Sequence, residues 1–380
     1  KTVTIRSEKE VKDKKSKPQS GNITWKFSMQ NTRDVAWAAS EAFVQDAARI
    51  NLPSGKKCMA VSVYPAESIT KDGWQRSTEF VKGSIEHYSK KWFEYPYPTA
   101  TNVAGIVAGM EYPGIVFCSY YSSGSSLWGV TDHELGHTWF PMIVGSNERK
   151  YAWMDEGLNS FINEFSTNEF NKGEFKDKGF FGDPNSPFMV QYSFSDGADG
   201  LNTIPEVIQD NNLDVAAYSK PAQMLTALRE VVLGPERFDA AFTEYIRRWA
   251  YKHPTPWDFF HTIENVSGED LSWFWRAWVF NTWKLDIAVS SVEYKEEKAS
   301  KGALITIENL EKMPMPVTVK VKENNGKQYI IDLPVEIWQR GALWTFSVPS
   351  TTEIKEVIID PENKLPDLNR ENNEWKKKAF

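Results

Sequence analysis

The sequence predicts an α+β chain in two parts: a mainly helical domain with a small sheet over residues 22–284, then a β-sandwich over 285–380. Three observations predict this. The chain has 380 residues, too many for one ordinary domain and enough for two. Helical patterning dominates from about residue 127 to 283. After Trp283 the pattern changes to short alternating strands, which places the boundary near Leu285.

Residues 1–21 are charged and polar and read as a tail or hairpin remnant. Residues 22–28 (NITWKFS) and 58–64 (CMAVSVY) alternate and predict strands. A helix is expected over 72–92, stopped by Pro96 and Pro98. Another strand region covers 102–117, broken by Glu111-Tyr112-Pro113-Gly114, and a Ser/Gly loop follows over 119–126. Residues 172–200, rich in Gly, Asp, Asn, Ser and Phe, read as a long irregular insertion. In the C-terminal part strands are expected at 287–292, 303–307, 316–321, 328–333, 344–348 and 357–359. Asn324-Asn325-Gly326 is a hairpin signal between two of them.

Hydrophobic residues make up 41% and charged residues 25%, a globular balance. The net charge of −7 offers no basic footprint for nucleic acid. No apolar stretch reaches the roughly 18 residues of a membrane helix. Cys58 and Cys118 each lie in an apolar run and read as buried thiols. Two cysteines cannot make a Cys-rich zinc site or a disulfide framework.

The chemistry concentrates in residues 130–140 (VTDHELGHTWF), which contain H-E-x-x-H. On a helix, residues four apart share a face, so His133 and His137 can bind one Zn²⁺. Glu134 then stands beside the metal rather than on it, where a general base belongs. A catalytic zinc needs a third protein ligand and one open position. Glu156 offers that ligand from a second helical stretch, after a gap of eighteen residues, 138–155. Such a gap lets one helix end, a loop turn and a second helix run back. Asp155 and Asn159 flank this ligand, and the sequence leaves open whether they support the metal site or face solvent. His87, His253 and His261 read as exposed or capping residues.

These residues resemble the aminopeptidase N family of gluzincins, which includes leukotriene hydrolase. H-E-x-x-H, the eighteen-residue gap and the following E-G all fit. Gly109-Met110-Glu111-Tyr112 resembles the family's G-x-M-E-N exopeptidase signature, and Tyr218-Ser219-Lys220 resembles its Y-x-K-G segment. The resemblance covers roughly residues 22–283. It implies a thermolysin-like catalytic domain followed by an immunoglobulin-like sandwich, and one zinc ion per chain on His133, His137 and Glu156. It further implies that Glu134 activates water, that Tyr218 stabilises the oxyanion, and that Glu111 pairs with the free α-amino group of a peptide. Gly109 and Met110 would offer backbone groups to that peptide.

The chain departs from the family pattern in places. Tyr112 stands where the family has Asn, and Pro221 where it has Gly. Residues 1–21 have room only for the end of the family's N-terminal β-domain, and its C-terminal helical domain has no counterpart. The expectation is a zinc aminopeptidase acting on peptides with a free N-terminus. An endopeptidase on the same machinery and an inactive zinc-bearing scaffold are the alternatives. The many aromatics and the appended sandwich favour an exported bacterial protein of the periplasm or cell envelope.

Overall fold

The computed structural model describes residues 28–70, 72–179, 186–209 and 212–377. The expected tail, and all but the last residue of the strand expected at 22–28, lie outside them.

The first part is built on a five-stranded sheet with order β1-β2-β3-β5-β4. Its strands are β1 (Phe43–Asn51), β2 (Lys57–Pro65), β3 (Thr99–Gly105), β4 (Gly109–Tyr112) and β5 (Ile115–Ser119). The β2–β3 and β3–β5 pairs are parallel, and the outer strands β1 and β4 run antiparallel to their neighbours. The expected break at 111–114 is narrower than the sequence suggested. Glu111 and Tyr112 still pair in β4, opposite Val116 and Ile115. Only Pro113 and Gly114 make the turn, with Gly114 at a φ of +78°. Strand β1 was not expected, because FVQDAARIN does not alternate. It is an edge strand with most residues exposed, so no buried face imposes a period.

Helices cover the sheet. They are α1 (Ser77–Lys91), α2 (Gly124–Gly136), α3 (Leu158–Glu169), α4 (Pro187–Ser193), α5 (Lys220–Ala227), α6 (Pro235–Trp249), α7 (Pro256–Ser267) and α8 (Ser272–Trp278). The helix expected at 72–92 is thus α1 preceded by a 3₁₀ turn, Trp74–Arg76, and the predicted Ser/Gly loop ends where α2 begins at Gly124. The insertion carries the short helix α4. Helix α2 is central: every residue from Leu127 to Gly136 is buried, packed against α1, α3 and β5. Asn102 on β3 donates to Thr131 Oγ1 of α2 (2.9 Å) and to Ser77 Oγ of α1 (3.0 Å), tying both helices to the sheet. The aromatic excess fills the core, where Trp74, Trp128, Trp139, Trp153 and Trp278 are fully buried. Cys58 and Cys118 are buried free thiols.

After Trp278 two sheets face each other, with orders β10-β7-β6 and β12-β11-β8-β9. Their strands are β6 (Ile287–Tyr294), β7 (Ala303–Asn309), β8 (Val317–Glu323), β9 (Gln328–Leu333), β10 (Leu343–Val348), β11 (Ile354–Ile359) and β12 (Glu374–Lys376). Ile305, Ile307, Val319, Val321, Val357 and Ile359 are buried between them, as alternation requires. The hairpin signal joins β8 to β9, with Gly326 at a φ of +90°. β12, three residues long, has no sequence signature and was missed. No helix among the described residues is long and apolar enough to cross a membrane.

Candidate active site

Helix α2 delivers His133 and His137 on one face, and both rings are buried. The segment after His137, Thr138–Ile143, is kinked, with Phe140 extended at φ −136° and ψ 111°. Two wide, π-type helical turns bring in the remaining residues: Trp153–Gly157 carries Glu156 into α3, and Val215–Ser219 carries Tyr218 into α5. Such turns aim side chains off the regular helical face and are frequent at functional sites.

The donor atoms converge. Glu156 Oε2 lies 3.2 Å from His133 Nε2 and 3.2 Å from His137 Nε2. The two Nε2 atoms are 3.3 Å apart. A tetrahedral zinc with bonds of about 2.0–2.1 Å has ligand–ligand edges of about 3.3–3.4 Å. The three atoms therefore stand nearly as the face of such a tetrahedron. Glu156 Oε2 is buried and has the two Nε2 atoms as its polar neighbours, as suits an atom that shares a cation with them. These three residues fit a metal ion and could hold one.

Further residues set the rings. Asn163 Oδ1 accepts from His133 Nδ1 at 2.9 Å, which makes Nδ1 the protonated nitrogen and turns Nε2 toward the triangle. Asn163 in turn donates to Tyr88 Oη at 2.8 Å, and Tyr88 donates to the buried Asp132 at 2.8 Å. Asn159 donates to the His133 carbonyl at 2.8 Å. His137 Nδ1 lies 2.8 Å from the Phe140 carbonyl and 2.9 Å from Asp155 Oδ1. Both residues left open by the sequence thus support the site. Asn163 and Tyr88 were missed. Neither carries a sequence signal: Glu156, Asn159 and Asn163 fall at helical spacing, but Ser160 and Glu164 between and beyond them are polar too, so no stripe stands out.

Glu134 is 6% exposed and lies beside the triangle. Carboxylate and imidazole atoms of Glu111, Glu134 and His137 all lie within 4.8 Å of one another. Glu134 presses on β4: a Cβ at Gly109 would overlap its Oε1. Only glycine lets the strand come this close. Gly109 and Glu111 face inward with Cys118 and Val116, whereas Met110 and Tyr112 share the other face with Phe117. Tyr112 packs edge-on against Phe117. Its replacement of the expected Asn therefore leaves Glu111 in place. Tyr218 donates to Glu156 Oε1 at 2.7 Å, which assigns the other oxygen, Oε2, to the triangle.

The electrostatics follow from burial and crowding. Burial opposes charge on His137, but Glu156 and Asp155 outweigh it and raise the imidazole well above its usual value. Burial likewise opposes the charge of Glu156, yet His137 and His133 hold it well below the usual carboxylate range. Burial lifts Glu134 to about 7, with both imidazoles pulling the other way. Burial, then the charge of Glu156, pushes the Tyr218 phenol up, so it stays neutral and can donate. Of the other histidines, His87 sits 3.3 Å from Glu169 and His253 2.9 Å from the Gly145 carbonyl, both apart from this cluster.

The chain is 26% identical over 208 residues to aminopeptidase M1-C of Oryza sativa subsp. japonica, covering 50% of this chain and 24% of that protein. It is 24% identical over 277 residues to a leucyl aminopeptidase of Saccharolobus solfataricus, covering 66% and 34%. The crystal structure of Legionella pneumophila aminopeptidase A in complex with aspartic acid superposes with a TM-score of 0.64 at 15% identity. That match covers 86% of this chain and 38% of the other, and shows a shared fold. The chain spans 24% and 34% of the length of the two relatives named. The family model described as "Peptidase family M1 domain" matches residues 78–278, more than half of the chain, which therefore belongs to peptidase family M1.

Proposed function

We propose that this chain is a zinc-dependent aminopeptidase, with zinc held by His133, His137 and Glu156. The observation that carries the reading is the placement of Glu134 and Glu111 together beside His137, one corner of the donor triangle. Bound zinc would supply a Lewis acid that polarises the scissile carbonyl and makes water acidic. Glu134, buried and beside the triangle, takes the proton from the attacking water and passes it to the leaving amine. The Tyr218 phenol turns from Glu156 to donate to the oxyanion as it forms. β4 ends the sheet, so among the described residues its outer edge is unpaired and can add an extended peptide. Glu111, on the inward face of that strand, pairs with the peptide's α-ammonium group. The enzyme thereby counts from the N-terminus.

The test uses free-amino aminoacyl chromogenic substrates beside N-acetylated copies, with chelator, with zinc restored and with Glu134→Gln. Chelator-sensitive cleavage of only the free-amino set, lost in the variant, is expected. Equal cleavage of the acetylated copies would make this an endopeptidase and remove the role of Glu111. No cleavage of either set would overturn the reading.

A further inference from the structure

Gly157 and Pro221 meet where the Glu156 turn packs against the Tyr218 turn. The backbone of Gly157 is ordinary helix (φ −75°, ψ −40°), so its conformation does not require glycine. Its surroundings do. A Cβ there would overlap the Pro221 ring and come 3.0 Å from the Ala217 carbonyl. Pro221 follows directly on the wide Val215–Ser219 turn within one continuous helical run, and its fixed φ stiffens the chain there.

This contact lies one residue beyond Glu156 on one side and three beyond Tyr218 on the other. Tyr218 donates to Glu156 Oε1 at one place where the two turns meet, and the Pro221 ring seated on the bare Cα of Gly157 is another, so the ring sets the spacing between the turn that carries the phenol and the turn that carries Glu156.

We propose that Pro221 is a positioning residue for Tyr218: its ring, seated on Gly157, holds the phenol at the site in this chain. The inference rests on the role assigned to Tyr218 above. A loosened phenol leaves the three metal ligands themselves in place and acts mainly on stabilisation of the oxyanion.

The experiment measures kcat, KM and zinc per chain for five variants with a free-amino substrate: Tyr218→Phe, Pro221→Gly, Gly157→Ala, Gly157→Ala with Pro221→Gly, and Tyr218→Phe with Pro221→Gly. Pro221→Gly is expected to lower kcat about 10-fold with KM nearly constant and zinc retained. In the Tyr218→Phe background it should cost nothing further. Gly157→Ala should lower kcat about 10²-fold, and adding Pro221→Gly should restore much of this by making room. Unchanged kcat in Pro221→Gly, an equal loss in the Tyr218→Phe background, loss of zinc, or no restoration would each overturn the proposal. If Tyr218→Phe itself keeps full kcat, the role of the tyrosine fails first, and Pro221 has nothing to position. Should Pro221→Gly not fold, Pro221→Ala removes the ring while keeping a good helix former and decides the same question.

Discussion

The smallest unit that explains the site is the pair formed by each imidazole and its backing group. His133 is held by an amide, Asn163, whereas His137 is held by a backbone carbonyl and a carboxylate, Asp155. Each partner fixes which nitrogen faces the metal, so neither needs to touch the metal to govern its affinity. Asn163→Ala and Asp155→Ala are each expected to weaken zinc binding about 10- to 100-fold, read by competition with a chromogenic chelator. An unchanged affinity in Asn163→Ala would mean that its hydrogen bond does not orient the ring. Glu134→Gln separates chemistry from binding. It keeps the shape beside Gly109 and removes the proton acceptor, so kcat should fall about 10²- to 10⁴-fold while metal analysis still finds zinc. Loss of the metal from this variant would show that Glu134 holds the site together rather than serving as base.

At the scale of elements, α2 and α3 must approach closely for Asn159 and Asn163 to reach His133. Gly136 permits it: a Cβ there would overlap Asn159 Oδ1 and stand 2.9 Å from Asn163 Nδ2. Gly136→Ala is therefore expected to destabilise the fold by about 1–3 kcal/mol and to weaken zinc, checked by urea unfolding and chelator competition. A stable variant with normal zinc affinity would show that the helices have slack. The elements also explain what was legible. The H-E-x-x-H of α2 is a local pattern, so one window nominates the cluster that the fold assembles. The alternating strands β7 and β8 declare themselves because one face is buried at every second residue. β1 and β12 do not, the first being a largely exposed edge and the second too short for a period. Tyr88 and Asn163 stayed hidden because neutral side chains far apart in sequence make no motif, and only packing brings them together. The seating of Pro221 on Gly157 was invisible for the same reason: it is a matter of space, and its proline reads from sequence as a helix start.

Across the whole molecule, two parts are held by different means, and this can be read in unfolding. The strands of the sandwich make their main contacts with one another, and the helical part is centred on α2. Two transitions are therefore expected on heating. Removing zinc strands two imidazoles and several carboxylates in the core of the first part. A ligand present at about 1,000 times its Kd contributes about 4 kcal/mol, so chelator should lower that transition by roughly 10 °C and leave the other unmoved. The sandwich has its own pin. Glu323 is fully buried and accepts from Tyr329 Oη (2.6 Å) and from the backbone N–H groups of Thr351 (3.0 Å) and Thr352 (2.8 Å). Burial works against its charge, but these donors hold its carboxyl down at about 2. A carboxyl lower in the folded state than in the unfolded chain adds stability above the unfolded value of about 4.3, and this is lost as pH falls toward 2. Glu323→Gln should therefore cost about 2 kcal/mol in the sandwich transition near pH 7. The gap between variant and parent should narrow from about pH 4 downward, and the chelator-sensitive transition should not move. A gap that stays constant into acid would mean that the charge of Glu323 is not what its donors stabilise. A shift of both transitions would mean that the two parts unfold as one.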